Sequence, residues 1–190
     1  MTDLSLPTEF FQRDAVVLAR ALIGMRLEGR GASGLITETE AYRQDDAASH
    51  SFRGETPRNR SMFGPAGHAY VYRSYGVHLC LNIVGLPGEA VLIRSLAPLS
   101  GLELMAQRRR GRLPLCAGPG RLCEALGIAM ADDGCDLSEG PVRLLPAPSP
   151  VGDILCGPRI GITKAVELPW RFGLKGAVLS RRIPQLPGPG

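Results

Sequence analysis

The chain has 190 residues, of which 44% are hydrophobic and 21% are charged, so we expect one domain with a substantial buried core. No run approaches 18 apolar residues, which argues against a membrane span. The first residues contain neither a basic nor an apolar segment, which argues against a signal peptide. We therefore expect a cytoplasmic protein. The net charge of +4 does not by itself identify a partner. The type of basic residue is more informative, because all of the 22 Lys and Arg residues except Lys164 and Lys175 are arginine. Arginine forks match phosphate groups and stack on bases, so clusters of arginine favour nucleic acid.

The five cysteines form no C-x-x-C pair and have no histidine at ligand spacing. Buried thiols in a reducing compartment are therefore expected rather than disulfides or a zinc site. The positions are Cys80, Cys116, Cys123, Cys135 and Cys156.

The first predicted elements are a helix and a pair of strands. Residues 8–24 have apolar residues at helical spacing, with Asp14 as a plausible N-cap and Gly24 where a glycine would end the helix. Residues 25–30 then pair with residues 35–43 across a glycine-rich turn.

The second of these strands carries the most informative pattern. Its alternation puts Ile36, Glu38, Glu40 and Tyr42 on one face. A solvated strand face is the ordinary interpretation of two such carboxylates. The acidic loop and His50 that follow favour a functional site, because buried carboxylates need partners or a task.

A long loop and a hairpin come next. Residues 43–67 form a loop that contains Arg53, Arg58 and Arg60, and loops of this length in a domain are usually functional. Residues 69–84 predict two strands around a tight turn at Ser74–Gly76, with Tyr75 at the tip. An aromatic side chain there either contacts a partner or folds back onto the sheet.

Further elements complete the predicted fold. Residues 89–96 form a strand in which Arg94 needs an anionic partner, either a glutamate or a phosphate. A capping box at Ser100 and Glu103 opens a helix that ends near Arg110, and Pro119 begins a short helix that ends near Gly127. Residues 132–165 predict strands and turns, with the segment 159–162 the clearest strand. The domain then covers residues 1–183, and residues 184–190 form a disordered tail rich in proline and glycine.

The chemistry that these residues allow centres on carboxylates. The chain has no phosphate-binding loop, deaminase signature or metal cluster, so a hydrolase of this sequence would have to activate water with a carboxylate. Glu38 and Glu40, roughly 7 Å apart on a strand, would fit a sugar hydrolase that uses two carboxylates. The arginine content and the aromatic residue at the hairpin tip suit nucleic acid better than a neutral glycan, and stacking on a base contributes about 1–3 kcal/mol.

A set of short motifs follows in a fixed order along the chain. The motifs are Glu38–Tyr42, Ala48–Ser51, Thr56–Asn59 with Met62–Phe63, Tyr70–Tyr72, Tyr75–Gly76, Asn82–Ile83, Leu92–Arg94 and Cys116–Pro119. Together they resemble the alkyladenine (3-methyladenine, methylpurine) DNA glycosylase family. The resemblance covers about residues 8–180, and the joint order and spacing of the motifs make it specific.

The resemblance implies a role for each candidate site residue. Glu40 would be the general base, and Arg94 would help to hold the attacking water and the phosphate of the lesion. The flipped base would lie among the rings of Tyr42, His50 and Tyr72. Asn82 would form the floor of the pocket and discriminate against the amino group of normal guanine. Tyr75 and Val77 of the hairpin would enter the minor groove, although some members carry Met at the position of Val77.

The family resemblance also implies the fold and the partner. The fold would be one α+β domain, with a curved, mainly antiparallel sheet flanked by helices and a protruding β-hairpin. The partner would be double-stranded DNA with damaged purines, bound by a monomer without metal or cofactor. Since neither lysine lies among the motifs, the enzyme would be monofunctional and leave an abasic site uncut. The alternatives are a nucleic-acid-binding module without catalysis and a two-carboxylate sugar glycosidase.

Overall fold

An antiparallel sheet forms the frame of the chain, which a computed structural model describes over residues 6–184. The sheet curls into half a barrel, and its main path runs β3-β4-β5-β2-β1-β6, with β8 paired to β2 and β7 paired to β8. The strands are β1 (Arg26–Gly29), β2 (Ala32–Tyr42), β3 (Ala69–Ser74), β4 (His78–Val84), β5 (Ala90–Ser100), β6 (Val142–Leu145), β7 (Ile154–Gly157) and β8 (Arg171–Leu174). The predicted α+β domain with a curved antiparallel sheet is therefore confirmed.

The helices are short and pack on the sheet to close the core. They are α1 (Thr8–Phe11), α2 (Ala15–Ala21), α3 (Leu102–Arg108) and α4 (Pro119–Leu126), with 3₁₀ turns at Arg60–Phe63 and Met130–Asp132. Leu18 of α2 and Leu122 of α4 are fully buried in the hydrophobic core. Within residues 6–184, none of the helices combines the length and apolar character needed to cross a bilayer.

Two helix predictions need correction. The helix expected over residues 8–24 is two helices, because Asp14 caps a new one by accepting a hydrogen bond from the Val16 amide at 2.8 Å. The capping box at Ser100 is wrong, since Ser100 ends β5 and its hydroxyl lies 2.6 Å from that of Ser33. The helix begins after Gly101, which has a φ of 71°.

The segment 132–165 also differs from the prediction. Its strands are β6 and β7, whereas the segment 159–162, expected to be the clearest strand, is a loop. The predicted thiols are buried at Cys80, Cys116 and Cys123, but Cys135 is half-buried and Cys156 is exposed. The predicted tail lies outside the described residues except for Pro184.

A bulge in β2 changes which side chains share a face. The register against β5 shifts between Ile36 and Glu38, so the simple alternation across Thr37 is broken. Ile36 pairs with Leu96, whereas Glu38 pairs with Ser95, the adjacent residue of β5, so the two side chains lie on opposite faces, which corrects the prediction that both share one face. A second shift beside Arg94 lets that side chain turn toward the same region as Glu38.

The β3–β4 hairpin ends in a tight turn, as predicted. The Val77 amide donates to the Ser74 carbonyl at 3.2 Å, and Tyr75 and Gly76 have φ values of 48° and 70°. Positive φ at both central residues matches the twist of the paired strands, and at Tyr75 it is uncommon for a residue that is not glycine.

Candidate active site

The register of the sheet assembles the site from residues far apart in sequence. A row of directly paired residues runs across five strands from Tyr70 to Asn82, Leu92, Glu40 and Arg171. Directly paired residues share a face of the sheet. Glu40 therefore lies near the C-terminal end of β2, where β5 and β8 flank the strand on both sides and the side chain is fully buried.

The Glu40 carboxylate has three polar neighbours. The Tyr42 hydroxyl donates to Oε2 at 2.8 Å, and the Ile160 amide donates to Oε1 at 2.8 Å. Arg94 Nη1 lies 3.4 Å from Oε2. Burial raises the pKa of Glu40 above its usual range, and the nearby Glu38 charge adds to this, while Arg94, the Ile160 amide and Tyr42 offset part of the rise.

Glu38 has a different environment on the same strand. It accepts from Ser95 Oγ at 3.0 Å and from Ser180 Oγ at 2.8 Å. Arg94 Nε lies 3.3 Å from its Oε1, and Arg171 Nη1 lies 3.6 Å from the same oxygen. Glu38 thus pairs with two basic neighbours and holds the Arg94 guanidinium between the two carboxylates.

A cavity of about 530 Å³ opens in front of this carboxylate pair, within the size range of small-molecule sites. Six of the predicted site residues meet in its walls, namely Tyr42, His50, Tyr72, Tyr75, Asn82 and Arg94. Glu40 lies behind the wall formed by Tyr42 and Arg94 and has no exposed surface of its own.

The aromatic side chains of the cavity contact one another on one side. The His50 and Tyr72 rings meet edge to face with 4.6 Å between centroids. This direct contact leaves no room for a base between these two rings. His50 Nδ1 also shares a 2.9 Å hydrogen bond with the Tyr70 hydroxyl.

Burial shifts the pKa values of these groups in favour of their uncharged forms. It raises the pKa of Tyr70 to about 12, and it raises the pKa values of Tyr42 and Tyr72 further above the usual range. Desolvation, and then the nearby Arg58 charge, lower the pKa of His50. The cavity therefore offers neutral rings and phenol donors beside one buried carboxylate.

Asn82 holds its place through the main chain. Its Nδ2 donates to the Tyr70 carbonyl at 3.0 Å, and its side chain is buried in the cavity wall.

The tip of the β3–β4 hairpin is exposed, unlike Asn82. Tyr75 is 88% exposed and Val77 is 70% exposed. Tyr75 does not fold back into the core, and it also lines the cavity.

Residues 9–178 match the family described as methylpurine-DNA glycosylase. The chain is similar to proteins named as proposed 3-methyladenine DNA glycosylases in three bacteria. The one from Agrobacterium fabrum is 55% identical over 174 residues, covering 90% of each chain. The one from Rhizobium meliloti is 54% identical over 180 residues, covering 93% of this chain and 96% of its own. The one from Nitrosospira multiformis is 51% identical over 188 residues, covering 96% and 97%.

The chain belongs to the methylpurine-DNA glycosylase family. It is a DNA glycosylase, a hydrolase of N-glycosyl bonds that serves DNA repair.

One wall of the glycosylase cavity was missed by sequence reasoning. The loop from Ile160 to Lys164 lines the cavity and supplies the Ile160 amide to Glu40. Arg159, just before it, is buried against Asp46. The signal in the sequence is an arginine at the start of a short apolar, glycine-containing stretch, which sequence reasoning predicts as a strand and the structure shows as a loop.

The two arginine clusters of the glycosylase differ in their surroundings. Arg53, Arg58 and Arg60 are exposed on the loop beside the cavity. In the second cluster, Arg109 and Arg112 both pair with Glu124, and Arg108 donates to the Ala125 carbonyl at 3.0 Å. The second cluster therefore joins α3 to α4, whereas the first is exposed to solvent, with Arg60 Nε 3.6 Å from the exposed carboxylate of Glu55.

The part of the chain that the structure describes contains no cluster of three or more His, Cys, Asp or Glu side chains arranged for a metal ion. Of the two lysines, Lys164 lines the glycosylase cavity and is exposed.

Proposed function

We propose that this DNA glycosylase acts as a monomer on double-stranded DNA and rotates a damaged purine out of the helix into the cavity. It then hydrolyses the N-glycosidic bond and leaves an abasic site without cutting the strand. The substrates are alkylated or deaminated purines of the class of 3-methyladenine, 7-methylguanine, hypoxanthine and ethenoadenine. The observation that carries this proposal is a buried carboxylate, Glu40, beside an aromatic cavity of base size.

The cavity geometry supports a particular position for the base. Because the rings of His50 and Tyr72 touch each other, the base would insert between this pair and Tyr42. Stacking on both faces gives part of the energy needed to remove a base from the duplex, which costs a few kcal/mol. Asn82, buried in the same wall, would meet one edge of the base and disfavour the exocyclic amino group of guanine.

The bond-breaking step follows from the position of Glu40. A water molecule beside Arg94 would attack C1′ of the nucleotide and transfer a proton to Glu40 while the bond between C1′ and the base breaks. The electron pair of that bond leaves with the base. An N-alkylated purine is already cationic and leaves readily, whereas a neutral lesion needs a proton or hydrogen bond at the departing base. The ionised carboxylate also stabilises the positive charge that develops on the sugar.

The surroundings of the other acidic and basic groups support a single-carboxylate, monofunctional enzyme. Glu38 is held by Arg94, Arg171 and two serine hydroxyls, whereas Glu40 contacts three groups that line the cavity, so only Glu40 is connected directly to the cavity wall on three sides, which weighs against a two-carboxylate glycosidase. Lys164 is exposed and lacks the desolvation that activates a Schiff-base lysine.

The hairpin tip and the arginine loop would bind the duplex around the lesion. Tyr75 projects into solvent from a rigid turn, so it can fill the gap left by the rotated nucleotide, with Val77 beside it. Arg53, Arg58 and Arg60 are positioned to contact phosphates.

The test is excision from duplexes that carry one defined lesion each, with the released base identified by mass spectrometry. The substitution Glu40→Gln should retain binding to the lesion duplex and lose about 10²–10⁴-fold in single-turnover rate, the usual contribution of a general base. Glu103→Gln, an exposed glutamate on α3, is the matched control and should keep the wild-type rate.

The outcomes separate the candidate functions. Near-normal turnover by Glu40→Gln would reject its role as the base. A binding module would release no base from any duplex, and a sugar glycosidase would act on a glycan instead. A strand break that depends on Lys164 would contradict the monofunctional mechanism.

A further inference from the structure

A buried ion pair, formed by Arg159 and Asp46, lies behind the cavity wall. Neither side chain has exposed surface. Arg159 Nη2 donates to Asp46 Oδ1 at 3.1 Å, Nη1 donates to the other carboxylate oxygen, and Nη1 also donates to the Ala41 carbonyl at 2.9 Å. Desolvation largely offsets the attraction within such a pair, so its contribution to stability alone is a weak reason for its presence.

The guanidinium of Arg159 lies against two aromatic rings. Its central carbon is 4.7 Å from the centroid of Tyr42 and 5.3 Å from that of Trp170. Tyr42 also lines the cavity, so the arginine supports the ring from outside the cavity. A planar guanidinium can stack on a ring and bind a carboxylate with two hydrogen bonds at once, which a lysine ammonium cannot do.

The same pair fixes two segments of the cavity wall. Arg159 Nη2 donates to the Ala165 carbonyl at 3.3 Å and thus closes the loop that contains the Ile160 amide, the donor to Glu40. Asp46 Oδ1 accepts from the Ala48 amide at 2.9 Å, at the start of the segment that leads to His50. One ion pair therefore connects the loop before His50, the Tyr42 ring and the loop that contacts Glu40.

We propose that Arg159 and Asp46 are a positioning pair for base excision, which sets the Tyr42 ring for stacking and holds the Ile160 amide on Glu40. The inference rests on the proposed function, since it assigns the pair to the same cavity and the same base. The pair acts through Tyr42 and Glu40 and does not itself touch the substrate.

The test compares Arg159→Lys, Arg159→Met and Asp46→Asn with Arg109→Met. Arg109 is the matched control because it is also a buried arginine with a carboxylate partner, Glu124, but it joins α3 to α4 and does not line the cavity. We expect Arg159→Lys to lose about 100-fold in single-turnover excision, the scale of a 1 Å misplacement of reacting groups. Arg109→Met should lower the midpoint of thermal unfolding and keep the wild-type rate.

Two further measurements distinguish positioning from general damage. Binding to a duplex with an abasic-site analogue, which presents no base to Tyr42, should remain normal in Arg159→Lys, while binding to the lesion duplex weakens. The fluorescence of Trp170, the chain's single tryptophan, should change in the Arg159 variants and not in Arg109→Met. Because Arg159 and Asp46 act as one unit, the double variant should lose little more than either single variant.

The outcomes are distinct from those of the proposed function. A wild-type protein that releases no damaged base would contradict the proposed function itself. A wild-type protein that excises bases, together with a folded Arg159→Lys of normal rate, would refute only the positioning pair. An equal loss of rate in Arg109→Met would also refute it, because the effect would then follow from stability. If Arg159→Met does not fold, Arg159→Lys and Asp46→Asn decide the question.

Discussion

Removing one hydroxyl, in Tyr42→Phe, tests how the surroundings of Glu40 prepare it for its proposed role as the general base. The Tyr42 hydroxyl donates to Glu40 Oε2 at 2.8 Å, and this bond favours the ionised carboxylate. Phenylalanine keeps the ring that faces the cavity and the contact with Arg159, so stacking of the base should remain. The substitution therefore separates the hydrogen bond from the ring.

The size of the effect follows from the kind of bond that is lost. A hydrogen bond to a charged group contributes about 1.5–3 kcal/mol, and one pKa unit corresponds to about 1.36 kcal/mol. Losing a bond that favours the ionised form raises the pKa of Glu40 further, and a loss of about 1.5–3 kcal/mol corresponds to an ionised fraction about 10–150-fold smaller at acidic pH. A general base works only when it is ionised, so the acidic limb of the pH dependence of kcat/KM should move to higher pH.

The assay is excision from a lesion duplex measured across pH, since kcat/KM reports the groups of the free enzyme. Tyr72→Phe is the matched control, because it removes a phenol from the same cavity without a hydrogen bond to Glu40. Its acidic limb should coincide with that of the wild type. An acidic limb that does not move in Tyr42→Phe would refute the reasoning, as either the bond is not formed in solution or Glu40 is not the group that titrates.

Three further substitutions test other parts of the structure. Folding raises the pKa of Glu40 above about 4.5, the ordinary pKa of a glutamate. The free energy of unfolding of the wild type should therefore fall as the pH rises from about 4.5 through the raised pKa of the folded protein. Glu40→Gln should therefore be the more stable protein at pH 7 in thermal unfolding, and a difference that is absent at pH 7 would contradict the raised pKa. Tyr75→Ala should weaken binding to a lesion duplex by about 5–150-fold, from a stacking energy of about 1–3 kcal/mol; unchanged anisotropy titrations would argue against a wedge. Glu38→Gln leaves Arg94 and Arg171 short of a buried partner and should lower the unfolding free energy in urea by about 3–5 kcal/mol. Glu28→Gln, in a pair nearer the surface, should change it by less than about 1 kcal/mol, and equal losses would show that the Glu38 contacts contribute little.

The parts of the fold that sequence could predict are those specified by neighbouring residues. The β3–β4 hairpin follows from alternation around a turn at Tyr75–Gly76, and β2 follows from β-branched residues after Gly34. The N-cap at Asp14 is similarly local, since its side chain accepts from an amide two residues away. These signals lie within a few residues, so no knowledge of the rest of the chain is needed.

The errors occur where distant residues decide the local structure. Ser100 matches a helix cap, but the pairing of β5 with β2 extends through it and directs its hydroxyl to Ser33. The segment 159–162 alternates like a strand, but the buried pairing of Arg159 with Asp46, more than 100 residues away in sequence, holds it as a loop. Local propensity is a weak prior, and tertiary contacts override it in both cases.

The candidate site could be named from motifs, but its arrangement could not. The row from Tyr70 through Asn82 and Leu92 to Glu40 depends on the register of β3, β4, β5 and β2, which no local pattern specifies. The contact between His50 and Tyr72, which shifts the expected base position toward Tyr42, depends on how the long loop folds over β3. Register is fixed by burial across the whole sheet.

Two carboxylates two residues apart on one strand differ in how many strong donors hold them. Glu38 accepts from Ser95 and Ser180 and lies within reach of both Arg94 and Arg171, so its charge is matched on every side. Glu40 receives one phenol and one amide, with Arg94 at 3.4 Å as a shared and more distant cation. Burial raises the pKa of Glu40, its few donors offset only part of that rise, and a carboxylate with a raised pKa is the stronger proton acceptor when it is ionised. This asymmetry gives a physical reason why Glu40, rather than Glu38, would accept the proton of the attacking water.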